Sequence, residues 1–137
     1  MRVRDIMTAQ VATVTPDTTT KVAARMMHDL HIGALPVMEA DKVAGIITDR
    51  DICCLVVVSG HDAVMTKVAE IMEKNVSICY ADDDINAAAD QMAEEHIRRL
   101  AVLDKQKKLV GFLSVDDLAS SSHILASTVL ESSALSY

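Results

Sequence analysis

Two short stretches of this 137-residue chain place a hydroxyl three residues ahead of a carboxylate: Thr48-Asp49-Arg50-Asp51 and Ser114-Val115-Asp116-Asp117. A hydroxyl donates and accepts, whereas an ionised carboxylate only accepts. The pair has two uses. As a capping box it closes the orphan N–H groups of a helix start and needs no ligand. As a binding pair it offers acceptors to a ligand's hydroxyls, beside N–H groups that favour an anion. Both uses hold together if the cap keeps the pair rigid. A third stretch, Ile97-Arg98-Arg99-Leu100, sets two guanidinium groups side by side. Their planar forks match phosphate oxygens, and the plainer alternative is a solvated corner or a salt bridge to Glu94, Glu95 or Asp104. Asp82-Asp83-Asp84 has the look of a metal cluster, but acids at a helix start suit the macrodipole, and no metal is expected. His28, His61 and His123 have no ligand spacing with cysteine. Neither a Ser-His-Asp order, a Gly-x-Gly-x-x-Gly nor a Walker sequence occurs, and no nucleophile, base and orienting group come together. An enzyme is not expected.

The composition narrows the partners. Half the residues are hydrophobic, with no Trp, one Phe and two Tyr, so the core must be built from aliphatic side chains and Met. Few aromatic platforms exist on which single-stranded nucleic acid could stack. The formal net charge of −7 argues against nucleic acid and against an anionic membrane surface. The three cysteines, Cys53, Cys54 and Cys79, lack CxxC spacing and follow no apolar leader, which suits reduced thiols of a cytoplasmic protein. Cys53 and Cys54 are expected to be packing residues. The longest apolar run, Ile52 to Val58, is far below the roughly 20 residues of a membrane span.

The elements that must carry these residues come in two copies. A shift of 65 residues lays Val3-Arg4-Asp5-Ile6-Met7 on Val68-Ala69-Glu70-Ile71-Met72 and His31-Ile32 on His96-Ile97. After one extra residue in the turn past Lys107, Gly45 meets Gly111, Thr48 meets Ser114 and Asp51 meets Asp117. Matches spread along a whole half-chain mark a duplication. Each copy reads as strand, helix, hairpin, helix. In the first, Val11–Val14 is the strand and Asp17 or Thr18 caps a helix that Gly33 ends. A hairpin turning over Glu39 to Lys42 then leads to a helix from Asp49 to about Val58. In the second, the strand is Val76–Cys79, the helix runs from about Asp84 to Glu95, and a last helix begins at Val115. The expected fold class is α+β: two β-α-β-β-α units, 1–60 and 61–122, packed sheet to sheet about a pseudo-twofold axis. A tail at 123–137 follows, either a short helix on a neighbouring subunit or a frayed end.

The run Val-Thr-Pro-Asp-Thr…Leu-Pro-Val…Gly-Ile-Ile-Thr-Asp-Arg-Asp-Ile resembles a CBS domain, and the tandem resembles a CBS pair, or Bateman module, over about residues 1 to 121. The resemblance implies a regulatory module that binds an adenine nucleotide (AMP, ADP, ATP, or a relative such as NAD or S-adenosylmethionine) in the cleft between its repeats. It also implies signalling through a homodimer or an associated protein. It assigns ribose binding to Thr48 with Asp51 and Ser114 with Asp117, and phosphate binding to Arg98 and Arg99, with Arg50 a weaker candidate. For adenine it assigns Thr13, Val14, Ile32, Ala34, Leu35 and Pro36 in the first copy. Ile78, Cys79, Ile97, Leu100 and Ala101 correspond in the second, most of them readable equally as core strand residues. The alternative is a purely structural dimerisation module whose motifs are caps.

Overall fold

The computed structural model describes residues 1–134; Leu135, Ser136 and Tyr137, the end of the expected tail, lie outside the described residues. In chain order these form α1 (Val3–Ile6), β1 (Thr8–Ala9), α2 (Thr20–Leu30), β2 (Ala34–Glu39), β3 (Lys42–Thr48) and α3 (Asp49–Ile52). Cys53–Val57 continues α3 as a π-helical turn, and α4 (Val68–Ile71), β4 (Ile78–Tyr80), α5 (Ile85–Glu95), β5 (Arg99–Leu103), β6 (Leu109–Ser114), α6 (Val115–Ser121) and α7 (His123–Ala134) follow. The mixture of sheets and helices bears out the α+β class.

Local chemistry sets the boundaries. Thr19, not Asp17 or Thr18, caps α2 by accepting from Val22 N at 3.3 Å. Thr18 is spent on a turn, where its hydroxyl accepts from Thr15 N at 3.1 Å. Asp84 caps α5 through Asn86 N at 2.7 Å. Gly33 does not supply the left-handed residue that ends α2: His31 does, with φ 55°, and His96 repeats it after α5 with φ 57°. Each adopts the left-handed region as a single residue, where its N–H still reaches back into the last helical turn. The expected first strand shrinks to one bridge, Val14 to Val37, held by Val14 N to Pro36 O at 3.1 Å and Met38 N to Val14 O at 2.8 Å. The three neighbouring acids have separate tasks. Asp82 pairs with Arg2, Arg4 and Lys105, Asp83 accepts from Tyr80 N, and Asp84 is the cap.

The described chain divides into two compact units that are not the two sequence repeats. Unit 2 is Ala12–Val76, and unit 1 joins Met1–Val11 to the chain from Ser77 onward. Each repeat's leading segment is thus lodged in the other repeat's unit. In unit 1 the sheet order is β1-β6-β5-β4, with Thr8 opposite Phe112 and Ala9 opposite Gly111. Val3 N donates to Asp83 O at 2.8 Å and Arg4 N to Ala81 O at 3.0 Å, tying α1 beside β4. In unit 2, β2 and β3 form a hairpin, Val68 N donates to Thr18 O at 2.8 Å, and Ile46 bridges Glu73.

A glycine makes each exchange possible. A Cβ on Gly111 would lie 2.5 Å from Met7 Sδ and 2.9 Å from the Thr8 carbonyl oxygen. One on Gly45 would lie 2.8 Å from both Met72 Sδ and the Glu73 carbonyl oxygen. Behind these strands Val3, Met92, Leu100, Leu113 and Leu118 fill unit 1, while Val14, Met27, Leu35, Ile47 and Val68 fill unit 2. Each such side chain contributes about 1.5–3 kcal/mol by leaving water.

Candidate ligand site

The third strand of each repeat ends on the hydroxyl of its motif, and the extended backbone there lets that side chain fold forward over the helix start. Thr48 Oγ1 accepts from Asp51 N at 3.1 Å, and Asp51 Oδ2 accepts from Thr48 N at 3.0 Å. Ser114 Oγ accepts from Asp117 N at 3.2 Å, and Asp117 Oδ2 accepts from Ser114 N at 2.9 Å. Both motifs are closed capping boxes and all four side chains are half-buried. Closing the box engages one carboxylate oxygen and leaves the other for a different donor.

That second oxygen distinguishes the two motifs. Asp117 Oδ1 accepts from Thr8 Oγ1 at 3.3 Å. Asp51 Oδ1 accepts no hydrogen bond among the described residues. The repeat shift lays Thr8 on Glu73, whose acceptor-only carboxylate has nothing to donate to Asp51. Thr8 is the residue that motif reading missed. Its signal is the exchange itself, because Thr8 is far from Asp117 in sequence and reaches it through the pairing of β1 with β6.

The expected phosphate ligands separate. Arg98 Nε donates to Ser133 Oγ of α7 at 3.0 Å, on the helical side of unit 1. Arg99, the next residue, begins β5 directly across from Ser114. Leu100 and Val102 point into the core, so alternation along the strand turns Arg99 and Ala101 to the opposite sheet face. The Arg99 side chain makes no hydrogen bond or ion pair among the described residues. Arg50 is exposed in α3 of unit 2, and its backbone N donates to Asp49 Oδ1.

The adenine candidates divide by strand face. Val14, Leu35, Cys79 and Leu100 are members of the two cores, and Ile97 packs against the core of unit 1. Ala34, Pro36 and Ala101 are buried on the faces turned away from those cores. Ala34 pairs with Thr48 across the hairpin, and Ala101 with Ile78. Thr13 and Ile32 are exposed. Burial, helped by the charge of Asp83, pushes the Cys79 thiol up to about 12, and this sulfur stays protonated. Among the described residues no group of three or more His, Cys, Asp or Glu is arranged to hold a metal ion, and no helix is long and apolar enough to cross a membrane.

A duplicated β-α-β-β-α unit, with a hydroxyl–carboxylate box at the same strand-to-helix junction in each copy, defines a tandem module. Family comparison matches the CBS domain twice, at residues 3–57 and 68–123, and this chain belongs to the CBS domain family as a pair. CBS domain-containing protein YhcV of Bacillus subtilis (strain 168) is 39% identical over 117 residues, covering 85% of this chain and 82% of that protein. A putative signal-transduction protein with CBS domains from Burkholderia ambifaria MC40-6 superimposes with a TM-score of 0.81 at 32% identity, over 88% of this chain and 93% of that one. The CBS domain pair of protein MJ0100, solved in complex with 5′-methylthioadenosine and S-adenosyl-L-methionine, superimposes with a TM-score of 0.78 at 25% identity, over 88% and 94%.

Proposed function

We propose that this chain is a non-catalytic sensor that binds an adenosyl compound and passes the occupancy on through association with a second copy or another cytoplasmic protein. The observation that carries this reading is the pair of matched boxes, one of which faces an unpaired guanidinium. A ribose diol would donate to the outer carboxylate oxygen of Asp51 or Asp117, which the closed box holds rigid. Arg99, across from Ser114, is the phosphate ligand of choice, and Arg98 is already engaged by Ser133. Within each unit a base would approach the sheet edge beside the box, near Ala34 in unit 2 or Ala101 in unit 1. The complex of MJ0100 with two adenosyl compounds supports the ligand class. Such a ligand shifts the protein only by binding one conformation better than another. The alternative, a dimerisation module without a ligand, draws on the fact that both boxes are complete as caps with nothing bound.

Thermal unfolding of ligand-stripped protein with AMP, ADP, ATP, NAD and S-adenosylmethionine tests the proposal. A ligand at one hundred times Kd adds about 2.7 kcal/mol, a rise in Tm of roughly 10 °C for a domain of this size. The expected result is a shift with one ligand class, lost in Asp51→Asn or Asp117→Asn. For phosphate-bearing ligands it should also weaken in Arg99→Ala. No shift with any compound, with equal destabilisation in both Asp variants, would leave the motifs as caps alone.

A further inference from the structure

Unit 1 holds a cavity of about 620 Å³ at the hairpin end of its sheet, where β4 and β5 finish and β6 begins. Met7, Ala81, Leu103 and Val110 make an apolar wall. Arg4, Tyr80, Lys105 and Gln106 bring polar groups to it, beside the carboxylates of Asp82 and Asp104. Small-molecule pockets fall in this range of size, about 300–1,000 Å³. The place is separate from the Ser114–Asp117 box. β5 runs from Arg99, opposite Ser114, to Leu103 at the cavity, about 13 Å at roughly 3.3 Å per residue.

The repeat supplies a control within the same molecule. The 65-residue shift sets Arg4 on Ala69, Tyr80 on Thr15, Lys105 on Ala40 and Gln106 on Asp41. Met7 and Leu103 fall on Met72 and Met38, so the apolar wall is shared while the polar groups belong to unit 1 alone. The acid at this corner is also used differently. In unit 2, Asp17 meets one cation, Lys67, at 3.6 Å. In unit 1 its counterpart Asp82 meets three: Arg2, the counterpart of Lys67, at 3.4 Å, then Arg4, and Lys105 at 3.9 Å. One carboxylate balances one of them. Asp104 is spent on the turn, where its Oδ1 accepts from Gln106 N and Lys108 N, both at 2.9 Å. Asp83 and Asp84 stand where unit 2 has Thr18 and Thr19, hold Tyr80 N and Asn86 N, and do not line the cavity.

We infer that this cavity binds a small carboxylate carried on a planar, apolar body. Arg4 and Lys105 meet different oxygens of Asp82, so their spacing already fits a carboxylate. A guanidinium has five N–H donors and an ammonium three, which leaves both with donors for a second anion. The Tyr80 ring, 38% exposed, gives the body a flat surface. Its hydroxyl and the Gln106 amide make no hydrogen bond among the described residues and can serve the polar rim. The two cations that unit 2 lacks stand beside an apolar wall, and a ligand uses both only if it has charge at one end and carbon at the other. The site needs no ligand at either capping box.

An amide NMR titration of the full chain with benzoate tests it. Benzamide is the neutral isostere, and inorganic phosphate is the anion without a body. The expected result is a saturable shift of the Arg4, Ala81, Asp82, Lys105 and Gln106 amides with benzoate, while those from Ser114 to Asp117 stay in place. Benzamide and phosphate should each bind about tenfold more weakly or worse. Arg4→Ala with Lys105→Ala gives unit 1 the residues of unit 2 and should weaken benzoate by about tenfold or more, with the rest of the spectrum unchanged. Should that pair disturb the spectrum, Lys105→Ala alone, at a side chain 84% exposed, keeps the fold and should weaken benzoate about threefold. No saturable shift at these amides, equal binding of benzamide or phosphate, or undiminished binding in the variants would each overturn the proposal.

Discussion

Unit 1 and unit 2 descend from one repeat, yet one has its helix face covered and the other has it bare. The cover is α7, which packs on α5 and α6 of its own unit, where the sequence suggested a helix on a neighbouring subunit or a frayed end. It is pinned at its C-terminal half: Ser132 Oγ donates to Ala93 O, His96 Nδ1 lies 2.8 Å from Ser132 Oγ, and Arg98 reaches Ser133. In unit 2, the corresponding His31 side chain makes no hydrogen bond among the described residues, and Gly33-Ala34 stand where Arg98 and Arg99 stand. The cysteines follow the same division. Cys53 and Cys54, expected as packing residues, are exposed in unit 2, whereas Cys79 is buried in unit 1. One unit thus covers its helices with a further helix, and the other leaves Val22, Leu30, Leu55, Val57 and Val58 exposed. The lesson is that one helix added after the second copy is enough to make the two halves of a duplicated fold unlike.

The comparison breaks most sharply at Val129. Val129→Asp buries a carboxylate under α7 and should cost about 3 kcal/mol or more in urea unfolding. Val57→Asp, at an exposed position of unit 2, should change stability by no more than about 0.5 kcal/mol. Similar losses for the two would mean that α7 does not cover unit 1 as described. Smaller effects are expected at the two close-approach glycines. Gly111→Ala and Gly45→Ala should each cost about 1–3 kcal/mol, with Gly111 the worse, since its added carbon meets Met7 more closely. Urea melts of the two variants rank them, and a neutral Gly111→Ala would refute the tight seat of β1.

The smallest effect concerns the thiols. Cys79 ionises near 12 in the folded protein and at its ordinary 9.0 when exposed, so between those values the folded state holds the extra proton. Its contribution to stability should therefore fall as pH rises from about 9 to 12. The slope of stability against pH in that window should flatten in Cys79→Val. Alkylation at neutral pH should modify Cys53 and Cys54 while sparing Cys79.

Local chemistry was readable from residue order alone. The two capping boxes and the span of α5 follow from side chains within a few positions of one another, and the duplication from the same local patterns recurring 65 residues on. A box such as Ser114 with Asp117 needs only its own turn of helix. The sequence also pointed to Gly33 as the end of α2, and there it misled, because a histidine served as the left-handed residue.

What only the tertiary structure decided are the partners that the chain brings from a distance. No periodicity shows that Met1–Val11 seats on the second repeat, that Thr8 completes Asp117, or that Arg98 turns to α7 while Arg99 turns away. Capping and helix propensity are settled over a turn of backbone, with energies of about 1 kcal/mol. The exchange of segments and the covering of one helix face are settled by burying apolar surface, which is indifferent to sequence distance. The residues that form each element are therefore written locally, and which helix face is covered is decided only when the whole chain has packed.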